Sequence, residues 1–246
     1  MKGPGFRRLS GVLGSFFAVG FGLASACTPP EPPPPRPPRV KAAAAPVAVD
    51  EDPQARHARR DDGLTGGTLV FSDDFERAEP GSDWTVKHAG EWTIEGGLLR
   101  SHRVDPEDAR NQGVWLTRPL PDKVRVTFQS RALSAVGDTK CEIFATQPRH
   151  EAGYSVIFGG WGNTINTITR LGEHEPQRVV QRNPQKVETG RTYTWTILRS
   201  DNVVRWYLDG NFALAYDDPS PVAGKFFGFN NWLTDVRFDN VKVYAL

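Results

Sequence analysis

Two short stretches pair indole rings with amides. "FGGWGN" (Phe158–Asn163) supplies Trp161 and Asn163, and "FFGFNNW" (Phe226–Trp232) supplies Asn230, Asn231 and Trp232. Flat apolar rings stack on the faces of pyranose sugars, and amide donors and acceptors match pairs of hydroxyls. Glycines in both stretches let the backbone turn, which would carry a Trp from a strand end towards a loop or groove. These five residues are the candidate ligand-binding set. The same stretches also read as core strands running into turns. Phe158, Phe227 and Phe229 are core candidates, either Trp can join them, and Asn is common in turns because it tolerates the left-handed region.

A second set concerns acid–base chemistry. In "DTKCE", Asp138, Lys140 and Glu142 alternate, so a regular strand places all three on one face. Two carboxylates flanking a glycosidic bond are what a glycosidase needs. A lysine between them tends to hold both ionised rather than keep one protonated as the acid. An exposed, salt-bridged strand face is therefore the competing reading. Two loops offer further groups: "DPEDARNQG" with Asp105, Glu107, Asp108 and Arg110, and "LGEHEPQR" with Glu173, His174, Glu175 and Arg178. His174 between two glutamates is a candidate base or metal ligand, against the plainer reading of a solvated loop. His57, His88, His102 and His150 are scattered, without the spacing of a zinc site. The catalytic candidates are Asp138, Glu142 and His174.

The elements that must carry these residues are strands. Short runs rich in Val, Ile, Thr, Tyr and Trp alternate with Gly, Asn, Asp and Pro clusters, and no helical run of comparable strength appears. "EWTIEGGLLRS" turns at Glu95-Gly96-Gly97, and "RWYLDGNFALAY" turns at Asp209-Gly210, a strong two-residue hairpin signal. A further turn at Ser200-Asp201-Asn202 makes Tyr193 to Tyr216 a three-stranded meander. Its alternation puts Val204, Trp206 and Leu208 on one face, and Arg205, Tyr207 and Asp209 on the other. A dozen or so short strands without helices are best accommodated as an all-β sandwich of two antiparallel sheets.

The opening "FSDDFE…W", the "GEWTIEGGLL" and "WYLDGNFALAYDD" hairpins and the closing "FGFNNW…VRFDNVKVY" resemble the concanavalin A-like lectin/glucanase jelly roll. The resemblance is nearest to the branch of 3-keto-disaccharide hydrolase or laminarinase-like domains and covers nearly all of residues 68–246. It implies a sheet face that often binds glycan, on a scaffold that carries lectins, hydrolases and inert adhesion modules alike. The laminarinase-like pattern E-x-D-x-E has lysine at its central acidic position here and Asp at its first, which argues against the retaining mechanism. Such jelly rolls often carry a structural Ca²⁺ where the first and last strands meet, and Asp73, Asp74 and Asp239 are the corresponding candidates, with carboxylate oxygens that suit the ion. The alternative is that Asp239 and Asn240 satisfy backbone groups at a bulge.

The N-terminal part reads as an address. Lys2, Arg7 and Arg8 precede the apolar run "LSGVLGSFFAVGFGLASA", which ends at Cys27. A basic start and a small-residue end mark a secretory signal over residues 1–26. "LASAC" resembles the lipobox of bacterial lipoproteins, in which the Cys is acylated. It departs from that pattern at Ala24, and cleavage after "ASA" is the alternative. Residues 27–67, with "PPEPPPPRPP", cannot bury enough apolar surface to fold and are expected to form an extended linker. Its ten-residue proline block would span roughly 30 Å as polyproline II. Thr28 after the Cys favours the outer membrane or cell surface by resemblance; the periplasm or secretion are the alternatives. Only Cys27 and Cys141 occur, so a lipidated Cys27 leaves no internal disulfide, and Cys141 reads as a small buried residue. The net charge is +1 with basic residues spread along the chain, which gives no nucleic-acid footprint.

The sequence therefore predicts an envelope lipoprotein with a non-catalytic, glycan-binding jelly roll at residues 68–246. A glycoside hydrolase or lyase acting on a di- or polysaccharide is the first alternative, and a structural or adhesion module the second. The membrane contact is the lipid anchor only, and no cofactor beyond a structural Ca²⁺ is expected.

Overall fold

The computed structural model describes residues 52–87, 90–101 and 111–246. The signal segment, Cys27 and the linker up to residue 51 lie outside the described residues. So do His88, His102 and the loop residues Asp105, Glu107, Asp108 and Arg110. One short helix, α1 (Pro53–Ala58), comes first. The strands then follow as β1 (Thr68–Asp73), β2 (Trp84–Val86), β3 (Trp92–Ile94), β4 (Leu99–Ser101) and β5 (Gln112–Leu116). Next come β6 (Val124–Ala132), β7 (Thr139–Ala145), β8 (Tyr154–Gly159), β9 (Ile165–Arg170) and β10 (Val179–Val180). The last are β11 (Thr192–Ser200), β12 (Val203–Leu208), β13 (Asn211–Asp217), β14 (Phe226–Asn231) and β15 (Val236–Ala245).

They form two antiparallel sheets, as the alternation predicts. The first runs β13-β12-β11-β6-β15-β4-β3, with β1 also paired to β15, and the second runs β10-β9-β8-β7-β14-β5-β2. The hairpin signals hold. Asp209 and Gly210 take φ of 50° and 76° between β12 and β13, the positive pair that matches the twist of the flanking strands. Val204, Trp206 and Leu208 of β12 lie in the core between the sheets, whereas Arg205 and Tyr207 face outward from the first sheet.

The core is aromatic. Trp195 and Trp206 stack at 4.9 Å, Phe229 and Phe238 at 3.9 Å, and Phe128 touches four other rings. Phe158, Phe227 and Phe229 are fully buried, in line with their reading as core. Each such ring contributes about 1.5–3 kcal/mol by leaving water. Cys141 is buried too, and burial pushes its thiol well above the ordinary range, with the Glu142 carboxylate adding to the rise.

The ordered domain starts ahead of Thr68. Asp52 caps α1 by accepting from Gln54 N at 3.0 Å, with proline in the first turn where a missing N–H costs nothing. The Gln54 amide then bonds both backbone groups of Ala215 on β13, closing a strand edge that would otherwise be open. Arg205 grips the Asp62 carboxylate and the carbonyls of Arg60 and Asp62, and Tyr207 donates to Arg60 O at 3.0 Å. Arg125 donates to the carbonyls of Gly63 and Gly66. Residues 52–67 thus strap across the outer face of the first sheet. Composition marked this segment as linker because it has few apolar residues. Its anchors are polar side chains on outward strand positions, which sequence alone assigns to solvent.

Candidate functional site

Thr139, Cys141 and Ile143 of β7 alternate with Lys140 and Glu142. Cys141 and Ile143 point into the core, so Lys140 and Glu142 stand on the outer face of the second sheet. The expected sharing of one face is observed, but the expected exposure is not: the Lys140 and Glu142 side chains are 1% and 0% exposed. They are covered by groups from the β7–β8 and β9–β10 loops, whose return over the sheet leaves no trace in a period-two pattern. A bulge follows at Phe144, whose φ is 54°. It turns Phe144 into the core and leaves Ala145 packed with Trp115 and Ala152 on the outer side.

Six titratable groups meet here. Lys140 Nζ donates to Glu173 Oε1 at 2.9 Å and to Asn111 Oδ1 at 3.0 Å, and lies 3.5 Å from Asp138 Oδ1. Glu142 is bonded by His150 Nδ1 at 2.6 Å and accepts from Ser155 Oγ at 2.8 Å. The other His150 nitrogen lies 3.6 Å from Glu173 and 3.8 Å from Glu151. Burial opposes the charge on Lys140, but Asp138, Glu173 and Glu142 outweigh it and raise its pKa, so it stays an ammonium. Burial raises Asp138, and the nearby Glu173 adds to this against the pull of Lys140. The two directions agree once the distances are compared: Lys140 serves Glu173 first and leaves Asp138 the less compensated carboxylate. His150 is held above its ordinary value because Glu142 and Glu173 outweigh the lowering by burial and by Lys140.

Above this floor lies a groove of roughly 500 Å³. Trp161, His174, Trp232, Val136 and Leu233 supply ring and apolar surface, and Asp138, Glu173 and Asn111 supply polar atoms. Trp161 and Trp232 are 37% and 38% exposed, among a core whose other indoles are sealed. The chain presents Trp161 on a left-handed turn, with positive φ at Gly159, Trp161, Gly162 and Asn163. Gly159 is required there, since a Cβ would come 2.6 Å from both Asn163 Oδ1 and Val187 Cγ2. The His174 ring meets Trp161 edge-on at 5.5 Å, and the Arg178 guanidinium lies 4.8 Å from its centroid.

The predicted site residues divide into two groups. Trp161, Trp232, Asp138 and His174 line the groove. Asn163 is spent on structure, donating to Ala135 O and Val187 O and accepting from Val187 N. Asn231 is fully buried, bonded to Ser101 Oγ and Thr234 N. Asn230 is buried beside Glu142, with Oδ1 unpaired. Glu142 lies beneath the groove. Glu173 and His150 complete the floor. They were seen in the sequence only as members of a polar loop and as a scattered histidine, because nothing local links positions 142, 150 and 173.

At both candidate metal sites carboxylate oxygens already have protein partners. Glu142, His150 and Glu173 bring one ligand atom each within 4.8 Å of one another, but Glu173 already holds the Lys140 ammonium at 2.9 Å and Glu142 already holds His150 Nδ1 at 2.6 Å. At the meeting of β1 and β15, both oxygens of Asp73 are held by Arg77, with further bonds from Trp84 Nε1 and Phe75 N. Asp239 accepts from the backbone and side chain of Asn240, and Asp74 caps Glu76 N. The bulge reading suits these residues better than a Ca²⁺ site does.

Solved structures with the same arrangement of two sheets are numerous, and the similarity is one of shape. A structure described with the endo-acting O-glycanases by which human gut microbiota initiate mucin breakdown superposes with a TM-score of 0.59, at 16% identity over 73% of this chain and 100% of that one. A non-specific endo-β-1,3(4)-glucanase of family GH16 gives 0.56, at 12% identity over 72% and 91%. The fold is a concanavalin A-like jelly roll. Another jelly roll, the carbohydrate-binding module CBM66 from Bacillus subtilis, gives 0.52 at 12% identity over 68% of this chain and 98% of that one. A family model described as farnesoic acid O-methyl transferase matches residues 134–243, less than half of the chain. No curated protein matches it in sequence.

Proposed function

We propose that this jelly roll is a glycan-binding module, exported and held at the cell envelope through a lipidated Cys27. The observation that carries the reading is the placement of two half-exposed indoles, Trp161 and Trp232, on one groove with carboxylates at its floor. A water-exposed Trp face is costly unless a ligand covers it, and stacking on a sugar ring does so without demanding one sequence of hydroxyls. The neighbours of similar shape include glycanases and a carbohydrate-binding module, which supports the same ligand class.

Binding is favoured over cleavage by the floor. Glu142 is sealed by His150 and Ser155, and an ammonium sits between Asp138 and Glu173 where a glycosidase would keep a protonated acid facing a carboxylate. The test is affinity electrophoresis of the full chain through gels containing soluble polysaccharides, run beside Trp161→Ala and Trp232→Ala. Retardation by at least one polysaccharide, lost in both variants, is the expected result. A wild-type chain retarded by none overturns the reading. For the anchor, Cys27→Ser is expected to abolish incorporation of labelled fatty acid and release the protein from membranes; unchanged labelling refutes it.

A further inference from the structure

The floor of the groove carries an uneven count of charges. Lys140 and the His150 ring face three largely buried carboxylates, Asp138, Glu142 and Glu173, with the more exposed Glu151 3.8 Å from His150. His150 is taken by Glu142 at 2.6 Å and Lys140 by Glu173 at 2.9 Å. Asp138 is left with a 3.5 Å contact to an ammonium already engaged elsewhere. It also lines the groove, as Glu173 does. Its φ of 58° and the bond from its N–H to Gly159 O fix it at the mouth of β7, and it lines the groove between Trp161 and Trp232. A mostly buried carboxylate without a full partner is unfavourable until it gains a proton or a cation. The raised pKa of Asp138 reflects the same imbalance.

The walls favour a cation as well. Indole faces carry negative quadrupole charge and attract ammonium and guanidinium groups, and Trp161 already holds Arg178 at 4.8 Å. Among the described residues, the lining itself contains two carboxylates, Asp138 and Glu173, which would repel an acidic or sulfated sugar.

We propose that the groove selects glycans bearing a free, protonated amine, that is, 2-amino sugars without their N-acetyl group. The inference rests on the glycan-binding reading and narrows its ligand. The ammonium donates to Asp138 and supplies the missing positive charge, while the sugar ring lies against the indoles. A neutral glycan keeps the stacking but desolvates Asp138 without pairing it, which sets the discrimination.

The experiment is calorimetric titration of the full chain at pH 6 with three tetramers: glucosamine, N-acetylglucosamine and β-1,4-linked glucose. The amine-bearing tetramer is expected to bind at least tenfold more tightly than either neutral one, with a preference that shrinks as NaCl is added. In Asp138→Asn that preference falls to within about twofold. Wild-type comparison and salt dependence need no variant, so they decide the matter even if Asp138→Asn does not fold. Equal affinity for all three, or tighter binding of the N-acetylated tetramer, overturns the amine preference and leaves the glycan-binding reading standing. Failure to bind any of the three overturns the amine preference; failure with every polysaccharide as well removes the broader reading too.

Discussion

Lys140 Nζ stands 2.9 Å from Glu173 Oε1, so the charge of a central strand is balanced by a residue from the loop after β9. The strand supplies the cation, while two of the carboxylates around it, Glu173 and Asp138, come from outside its regular part. The order of the groove floor therefore depends on the docking of the β9–β10 loop.

Lys140→Met tests that dependence. It leaves Glu173 and Asp138 facing each other without a cation in a buried setting, and the expected loss is about 3–5 kcal/mol. Urea unfolding reads it as a lowered midpoint at unchanged slope. Adding Glu173→Gln to the first variant should recover part of the loss, because the pair is directly coupled. Two losses that simply add would contradict the contact.

Stability should fall on the alkaline side of neutrality. His150 is held above its ordinary value of 6.5, facing Glu142, Glu151 and Glu173 as well as Lys140. A group raised in the folded state binds its proton more tightly there, so its contribution is complete below 6.5 and is lost as pH rises through the raised value. Asp138, raised above 3.8, acts with the same sign at lower pH. Thermal unfolding followed from pH 6 to pH 9 should show Tm decreasing, and the decrease should be smaller in His150→Gln. A variant with the wild-type slope would assign the effect elsewhere.

Trp161→Ala and Trp232→Ala should separate binding from folding. Each indole is more than one-third exposed and lies outside the core cluster, so stability should change by no more than about 0.5 kcal/mol. Glycan affinity should fall at least tenfold in each, about 1.4 kcal/mol or more. Loss of stability matching the loss of affinity would make these rings structural.

Arg205→Leu should loosen the strap without touching the groove. The guanidinium is 1% exposed and holds Asp62 and two carbonyls. Charged hydrogen bonds of this kind support a loss of roughly 1.5–3 kcal/mol. Limited proteolysis should then cut within residues 52–67 before the rest of the domain, with glycan affinity unchanged. Cleavage elsewhere first would deny the strap its role.

Much of the fold was legible because β12, at the centre of the meander from Tyr193 to Tyr216, keeps strict alternation, even though its pairing with β13 shifts register between Trp206 and Tyr207. The turns of the meander are Asp-Gly and Asp-Asn, and alternation along β12 separates Trp206 from Arg205. The site was legible only where local chemistry carried it: the glycines beside Trp161 announced a turn, and Asp138, Lys140 and Glu142 announced a shared face. Glu173 and His150 were not legible as partners, since their meeting is set by how two loops fold back over β7. Asn163 and Asn231 misled because an amide that completes a turn and an amide that meets a ligand have the same spelling. Residues 52–67 misled for a related reason: a polar strap on charged anchors has the composition of a linker.

That strap has a mechanical consequence. Residues 52–67 are fastened to β6, β12 and β13 of the first sheet, while the groove opens on the outer face of the second. Tension applied at residue 52 would load the Gln54–Ala215 bonds on β13 first and the guanidinium clamps of Arg205 and Arg125 after them. The indole-bearing turns, after β8 and β14, belong to the other sheet and sit off this line of force.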